Sequence, residues 1–245
     1  MIIMARIEIK KIGWDAPKNI KAFITTRIGG ASKNKYKFAN LSLDVGDSKS
    51  AVMSNREEVQ KTLNLPSEPS WMKQIHGTNI QYLKSPKKNI MCDGSYTDQP
   101  GIVCCVLSAD CLPIMMCDRF GRKVGVLHVG WRGLDKDLIP KFIKKLKTNP
   151  EDLYVWIGPS ISANNYLVRE DVYSKLKRIS TKIFRKIDSI HWSLNLAMAA
   201  KIILKKERVN NIFEDKTCTF DSSNLYYSFR RDNVTGRMAS LIWRE

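Results

Sequence analysis

His76, Cys111 and His128 are the residues of this chain best suited to chemistry. Each sits in a short stretch stiffened by glycine or proline: Gln74-Ile75-His76-Gly77, Ala109-Asp110-Cys111-Leu112-Pro113 and His128-Val129-Gly130-Trp131-Arg132-Gly133. The chain has three histidines, and two of them are here. Two imidazoles and one thiolate suit zinc or copper far better than magnesium or calcium. Three protein donors leave a coordination position open for a guest, the pattern of a catalytic metal. The three are too far apart in sequence for a Cys-x-x-Cys finger, so separate strands and loops must assemble the site. Gly77 lets the backbone bend beside the His76 ring. The same residues also fit a metal-free thiol hydrolase, with Cys111 as nucleophile and a histidine as base.

The third stretch carries a second idea. It lies where a strand ends and a helix opens, so free N–H groups favour an anion there, and Arg132 adds a bidentate donor. Phosphate, or a developing negative charge, is the guest these groups suit. Asp93, in Cys92-Asp93-Gly94, and Asp110, beside Cys111, are placed to orient ligands or to move protons. Asp110 reads equally well as a turn residue. His191, beside Trp192 and outside any such turn, reads as an ordinary histidine.

Strand and helix patterns must position these groups. Lys21 to Thr26 predicts a strand that turns at Gly29-Gly30. Asp47 or Ser48 can cap a helix from about Ala51 to Leu63, ended by Pro66. On it Val52, Val59 and Leu63 share a face with Arg56, which must snorkel or, beside Asn55, find an inward polar partner. Trp71 to Leu83 predicts strand structure carrying His76. Gly101 to Leu107 and Pro113 to Cys117 predict buried strands with Cys111 in the turn between them. Lys123 to Val129 predicts a strand whose end delivers His128, followed by a helix from about Leu134 to Lys147. Asp152 to Ile157 predicts a strand. Helices are expected at about Asp171 to Lys177 and Ser193 to Arg208, the latter with Leu196, Ala200, Ile203 and Leu204 buried. Thr217 to Trp243 predicts strands joined by a turn at Asp232-Asn233. Mixed elements without a strict βαβ rhythm argue for an α+β fold.

Composition narrows the class. With 245 residues and 43% hydrophobic residues the chain can bury its own core. No repeat or linker divides it, so one domain is expected. Charge interrupts the apolar run at the amino terminus, which is too short for a secretory segment or a membrane span, and a soluble, cytoplasmic protein is expected. Five of the six cysteines crowd between Cys92 and Cys117, which predicts reduced thiols in a buried sheet; Cys104 and Cys105 should face opposite ways. The net charge of +17 comes from scattered lysine runs, such as Lys84 to Lys88 and Lys141 to Lys147. These predict a solvated basic surface rather than a nucleic-acid site, since no nucleic-acid motif is present.

Taken in order, the motifs resemble the YfiH/laccase-domain family. The resemblance rests on the three stretches above together with Thr25-Thr26-Arg27, Asn40-Leu41, Val45-Gly46-Asp47, Asn55-Arg56, Asp93-Gly94, Thr97-Asp98, Gly158-Pro159 and Cys218-Thr219. Ser228-Phe229-Arg230-Arg231-Asp232 and Thr235-Gly236-Arg237-Met238-Ala239-Ser240 complete it. Two positions depart: Val129 and Cys92 stand where the family commonly has alanine. The resemblance implies an α/β/β/α layered sandwich with mixed sheets, formed by residues 1–245 as a single catalytic domain. It implies that His76, Cys111 and His128 hold zinc, with copper as the alternative. It implies a purine nucleoside phosphorylase, acting on adenosine, inosine, guanosine and methylthioadenosine, with adenosine deaminase activity. Purine nucleoside and phosphate would be the partners, with monomer and homodimer both open. Cys111, Asp93, Asp110 and Arg132 would be catalytic, and Thr25, Arg27, Asn40, Arg56 and Gln74 would line the substrate pocket. Family members are also described as amidases that edit peptidoglycan precursors, so that hydrolase reading stays open. A copper polyphenol oxidase fits poorly, because a laccase needs several coppers and many histidines. A basic binding protein would show steep salt dependence with nucleic acid.

Overall fold

The computed structural model describes residues 6–245. The expectation of no secretory segment falls partly on residues 1–5, outside that range. In chain order, β1 (Ile9–Lys11) and β2 (Ile20–Thr25) precede α1 (Lys49–Leu63). Four short strands follow: β3 (Met72–Lys73), β4 (Ile80–Tyr82), β5 (Ile90–Met91) and β6 (Gly94–Thr97). Next come the buried strands β7 (Cys104–Ser108), β8 (Leu112–Asp118) and β9 (Val124–Val129), then α2 (Trp131–Asp135) and α3 (Leu138–Leu146). Then follow β10 (Leu153–Ile157), β11 (Leu167–Val168), α4 (Glu170–Leu176), β12 (Phe184–Lys186) and β13 (Trp192–Leu194). The last elements are α5 (Leu196–Lys206), β14 (Asn211–Glu214), α6 (Phe229–Asp232) and β15 (Met238–Arg244).

Two sheets carry the architecture. One is antiparallel, in the order β1-β2-β15-β7. The other is mixed, in the order β14-β10-β8-β9-β6-β4, with parallel pairs at each edge. Period-two alternation decides what each strand faces. Met115 and Cys117 of β8, Val124 and Val126 of β9, and Cys104 and Val106 of β7 pack between the sheets. The alternate residues Leu112, Ile114, Met116, Leu127 and Val129 pack against α2, α3, α4 and α5. On the far side of the antiparallel sheet, Cys105, Leu107 and Leu241 meet Leu41, Trp71 and Val59 of α1. The result is the expected α/β/β/α sandwich. Cys104 and Cys105 lie on opposite faces, and all six cysteines are free thiols.

Several elements differ from their sequence patterns. The helix expected from Leu134 to Lys147 is two helices. Pro140 has no N–H and would clash with the carbonyl four residues back in a continuous helix. Asp137 turns left-handed at φ +57 and restarts the chain, which places Pro140 in the first turn of α3. Ser193 lies in β13, and α5 begins only after Asn195, whose side chain accepts from the Met198 N–H. Between Thr217 and Trp243 only β15 is a strand. Ser228 caps the short helix α6, and Asn233 at φ +56 ends it. His76 lies in the loop between β3 and β4 rather than within a strand. Ser48 caps α1 as expected, and left-handed Asn64 ends it.

The lysines of the 84–88 and 141–147 runs are exposed. No helix among the described residues is long and apolar enough to cross a membrane. On α3, Leu138, Ile139, Phe142, Ile143 and Leu146 are buried beneath that basic face, the division expected of a helix packed on a sheet. Phe142 is fully buried and its ring meets Tyr96 edge-on at 6.0 Å. Phe142→Ala is expected to lower unfolding stability by about 3–5 kcal/mol in urea denaturation, with the metal-site residues untouched.

Candidate metal centre

Strand register builds the centre. β8 and β9 form a hairpin in which Leu112 faces Val129 and Pro113 faces His128. Cys111 is the residue just before β8 and Gly130 the one just after β9, so the open end of the hairpin sets Cys111 near His128. His128 continues the face of Val124 and Val126. β6 pairs with the other edge of β9, Gly94 opposite Leu127. The His128 N–H donates to the Asp93 carbonyl at 2.8 Å.

Asp93 then brings in the third ligand. Its Oδ1 accepts from the backbone N–H groups of Ile75 (3.1 Å) and His76 (2.8 Å), and its Oδ2 from Gly77 (2.7 Å). The left-handed bend in this loop is at His76 itself, with φ +54, immediately before Gly77. A left-handed non-glycine costs on the order of 1–3 kcal/mol, and three hydrogen bonds to one buried carboxylate hold it there. Oδ1 of Asp93 also lies 3.6 Å from Nδ1 of His128, beyond hydrogen-bond range but close enough for charge to act. That Nδ1 is buried without a hydrogen-bond partner, so Nε2 is the ring nitrogen left for a metal.

His76, Cys111 and His128 converge, with donor atoms all within 4.8 Å of one another. The imidazole rings stand 4.9 Å apart at 78°. His76 is exposed, Cys111 half-buried and His128 buried, so the cluster opens to one side. Among the described residues no other cluster of His, Cys, Asp and Glu has this form. The donor set fits zinc or copper, and the Asp93 carboxylate lies 3.6 Å from the His128 Nδ1, where its charge acts on the ring. Gly130 adds a second mark of fit. A Cβ at this position would lie 2.9 Å from Cys111 Sγ, so only glycine leaves the thiolate room.

Charge follows the same geometry. Burial opposes ionisation of Cys111, but His128 and then His76 outweigh it and bring the thiol down to about 6. Burial also opposes a charge on His128; the Cys111 thiolate and Asp93 outweigh it and raise the imidazole to about 9. Burial works against the Asp93 carboxylate too, yet His128 and the N–H groups of Gly77 and His76 hold it below the usual range.

The cluster lines a cavity of about 480 Å³, a volume typical of small-ligand sites. Gln74, Asp110 and Arg132 line it as well. Gln74 pairs both amide atoms with the Leu107 backbone at 2.7 Å each. Asp110, left-handed at φ +93, uses both oxygens: Thr219 donates its hydroxyl at 2.6 Å and Arg230 its N–H at 2.7 Å. Arg132 is exposed and stacks 4.4 Å from the Trp131 ring.

Four expected pocket residues do not line this cavity. Thr25 accepts from the Ala239 N–H at 2.9 Å, tying β2 to β15. Arg27 donates to the Ser223 carbonyl and lies over the Tyr227 ring at 4.6 Å. Arg56 donates to the Leu41 carbonyl and lies 4.1 Å over Trp71. Asn40 is buried and accepts the Arg237 N–H at 3.0 Å. Each of these side chains bonds to nearby backbone, Asn40 also to the Asp47 carboxylate, and the Arg27 Nε is buried without a partner. Tyr166, Phe229, Arg230 and Arg237 line the cavity instead. The last three stand in the carboxy-terminal motifs quoted above. Tyr166 carries no local signal, and only tertiary structure brings it in. His191 pairs with Asp188 at 2.9 Å, apart from the cluster.

Two outcomes follow for the metal-free and metal-loaded protein. Without metal, Cys111 should be alkylated by iodoacetamide with a pH midpoint of about 6; a midpoint of an ordinary thiol would contradict the geometry. The stability due to this lowered thiol is complete above the ordinary thiol range and is lost as pH falls through about 6. That due to His128 is complete below its ordinary value of 6.5 and is lost as pH rises through about 9. Asp93→Asn, which leaves only one accepting oxygen for three N–H groups, should weaken metal affinity about 10- to 100-fold in chelator competition.

Known proteins resemble this chain over nearly its whole length. The model of a family described as multi-copper polyphenol oxidoreductase laccase matches residues 21–245. A Haemophilus influenzae protein named purine nucleoside phosphorylase is 38% identical, over 95% of this chain and 97% of its own. Escherichia coli purine nucleoside phosphorylase YfiH is 35% identical, over 94% and 96%. The crystal structure of a Neisseria meningitidis protein superposes with a TM-score of 0.91 at 36% identity, over 97% of this chain and 99% of that one. That of YlmD from Geobacillus stearothermophilus gives 0.90 at 30%, over 98% and 99%. The chain belongs to this family, the one that the polyphenol oxidoreductase laccase model describes and that includes YfiH.

Proposed function

We propose that this chain is a metal-dependent purine nucleoside phosphorylase that uses zinc, with adenosine deamination as a second reaction at the same site. The observation that carries the reading is charge. Arg132, Arg230 and Arg237 line the cavity that the His76–Cys111–His128 cluster faces, and none of the three pairs with a carboxylate among the described residues. A cavity with three free guanidiniums beside a cation site suits an anionic co-substrate. Aromatic walls from Trp131, Tyr166 and Phe229 suit a purine. Relatives of 32–38% identity over nearly the whole chain carry the name purine nucleoside phosphorylase, which supports the same class.

The reaction balances simply. A phosphate oxygen forms a bond to C1′, the bond from C1′ to the purine nitrogen breaks, and the purine leaves with that electron pair and takes up one proton. His76, Cys111 and His128 hold the metal, which when bound supplies a Lewis acid for an oxygen guest. Arginine charge orients the phosphate. Asp93 stays a carboxylate and positions His76 and His128. Asp110 fastens the Cys111 turn to α6 and Thr219. Both carboxylates accept hydrogen bonds from the protein, Asp93 from residues 75–77 and Asp110 from Thr219 and Arg230. Burial, aided by the nearby Cys111 charge, pushes the Tyr166 phenol up, so it stays protonated. Its hydroxyl makes no hydrogen bond with a described residue, so it is free to donate a hydrogen bond to a purine in the cavity.

A multi-copper oxidase does not fit this donor set. The chain has three histidines, and His191 is spent on Asp188. A thiol amidase keeps one point in its favour, the thiolate–imidazolium pair at Cys111 and His128. Incubation of metal-counted protein with inosine and adenosine, with and without phosphate, separates these readings. Ribose 1-phosphate and free base are expected only with phosphate, and inosine from adenosine marks the deaminase arm. Cys111→Ala and His76→Ala should abolish both while the protein still melts cooperatively. Turnover by a folded, metal-free variant would contradict the proposal.

A further inference from the structure

We propose that Arg237 is the oxyanion-binding arginine of this cavity, and that it takes inorganic phosphate beside the metal cluster, the place the sequence assigns to Arg132. The inference rests on the phosphorolytic reading for its substrate, but the site stands on its own geometry.

Arg132 and Arg237 differ in how they are held. Arg132 is exposed, rests on the Trp131 ring and makes no side-chain hydrogen bond with a described residue. A side chain in that setting samples many rotamers and loses entropy when it binds. Arg237 is half-buried and fixed from several sides. Its Nη1 donates to the Thr235 carbonyl at 2.7 Å and the Gly236 carbonyl at 2.9 Å. Its backbone N–H donates to Asn40 Oδ1 at 3.0 Å. Its guanidinium lies 5.8 Å from the Phe229 ring. Gly236 lets this segment press against the core: a Cβ there would stand 2.6 Å from the Tyr227 ring and 2.9 Å from the Asn40 Cβ.

This anchoring leaves Nε and Nη2 with no protein partner, on a guanidinium that has no carboxylate ion pair among the described residues. Burial works against its charge, and the acids that offset this effect include Cys111 and Asp110, at the metal cluster. A desolvated cation with two free donors on one edge is the planar fork that accepts an oxyanion bidentately. Because the fork is already oriented, binding costs it little further order. Arg230 lines the same cavity. Its Nη1 is tied to the Leu167 carbonyl at 2.9 Å and its guanidinium lies 4.8 Å over the Tyr166 ring. Asn40 thus reaches the substrate only through Arg237, as a positioning residue.

The test uses the metal-loaded full chain and inorganic phosphate. By calorimetry without nucleoside, Arg237→Gln should weaken phosphate binding about 10- to 100-fold, the loss expected for a charge-assisted pair. In turnover it should raise the KM for phosphate to a similar degree, while the KM for inosine stays within about twofold. Arg237→Lys keeps the charge but not the fork, so it should fall between the two and serves as the variant to read if Arg237→Gln melts early. A folded Arg237→Gln or Arg237→Lys protein with wild-type phosphate affinity would overturn the assignment. So would a loss of phosphate binding carried by Arg132→Gln instead. If the wild type yields no ribose 1-phosphate yet loses phosphate binding on Arg237→Gln, phosphorolysis falls and the oxyanion site stands.

Discussion

The site depends on one buried carboxylate. Asp93 accepts three successive backbone N–H groups from residues 75–77 while its own backbone is locked to β9 through the His128 N–H. That single residue fixes the distance between the loop of His76 and the core strand of His128. An anion accepting several N–H groups away from water is worth far more than the same bonds at the surface. It can therefore hold His76 in a left-handed conformation that the loop alone would not keep. The second left-handed residue, Asp110, does the same on the other side. It ties the Cys111 turn to Thr219 and to the first turn of α6. Two acidic side chains thus assemble a cation site without either belonging to the cation cluster itself.

The cavity also gathers positive charge. Its guanidiniums, Arg132, Arg230 and Arg237, come from the chain just after β9 and from the carboxy-terminal stretch from α6 to β15. The cavity thus gathers a thiol, two imidazoles and three arginines around one space. Such a set suits a guest that carries both a metal-seeking oxygen and a delocalised negative charge. Trp131, Tyr166 and Phe229 add aromatic faces to its lining. Preorganisation of this kind lets charge that develops during a reaction meet groups already in place.

Much of this was legible in the sequence, for identifiable reasons. The convergence of His76, Cys111 and His128 was readable because histidine is scarce here and each of the three stands at a glycine or proline turn. Buried strands were readable because β7, β8 and β9 are dense in apolar residues. The job of Asp93 was not, since it consists of accepting N–H groups from a loop whose bend lies at His76 instead of Gly77. Thr25, Arg27, Asn40 and Arg56 look like pocket residues because they are polar and sit in characteristic motifs. None of the four lines the cavity beside the cluster, and each bonds to backbone nearby. Tyr166 escaped notice for the converse reason, since no local pattern marks it, while Arg237 stood in a motif whose place beside the cavity only the closed chain shows. The helix break at Asp137 was encoded by Pro140, and the apolar stripe around it concealed the signal.

X-ray absorption at the edge of the bound metal tests the central claim most directly. One ion should be found per chain, coordinated by two imidazole nitrogens and one sulfur, with a further light-atom ligand that exchanges when phosphate is added. A closed shell of four protein ligands, or a first shell lacking sulfur, would contradict the account.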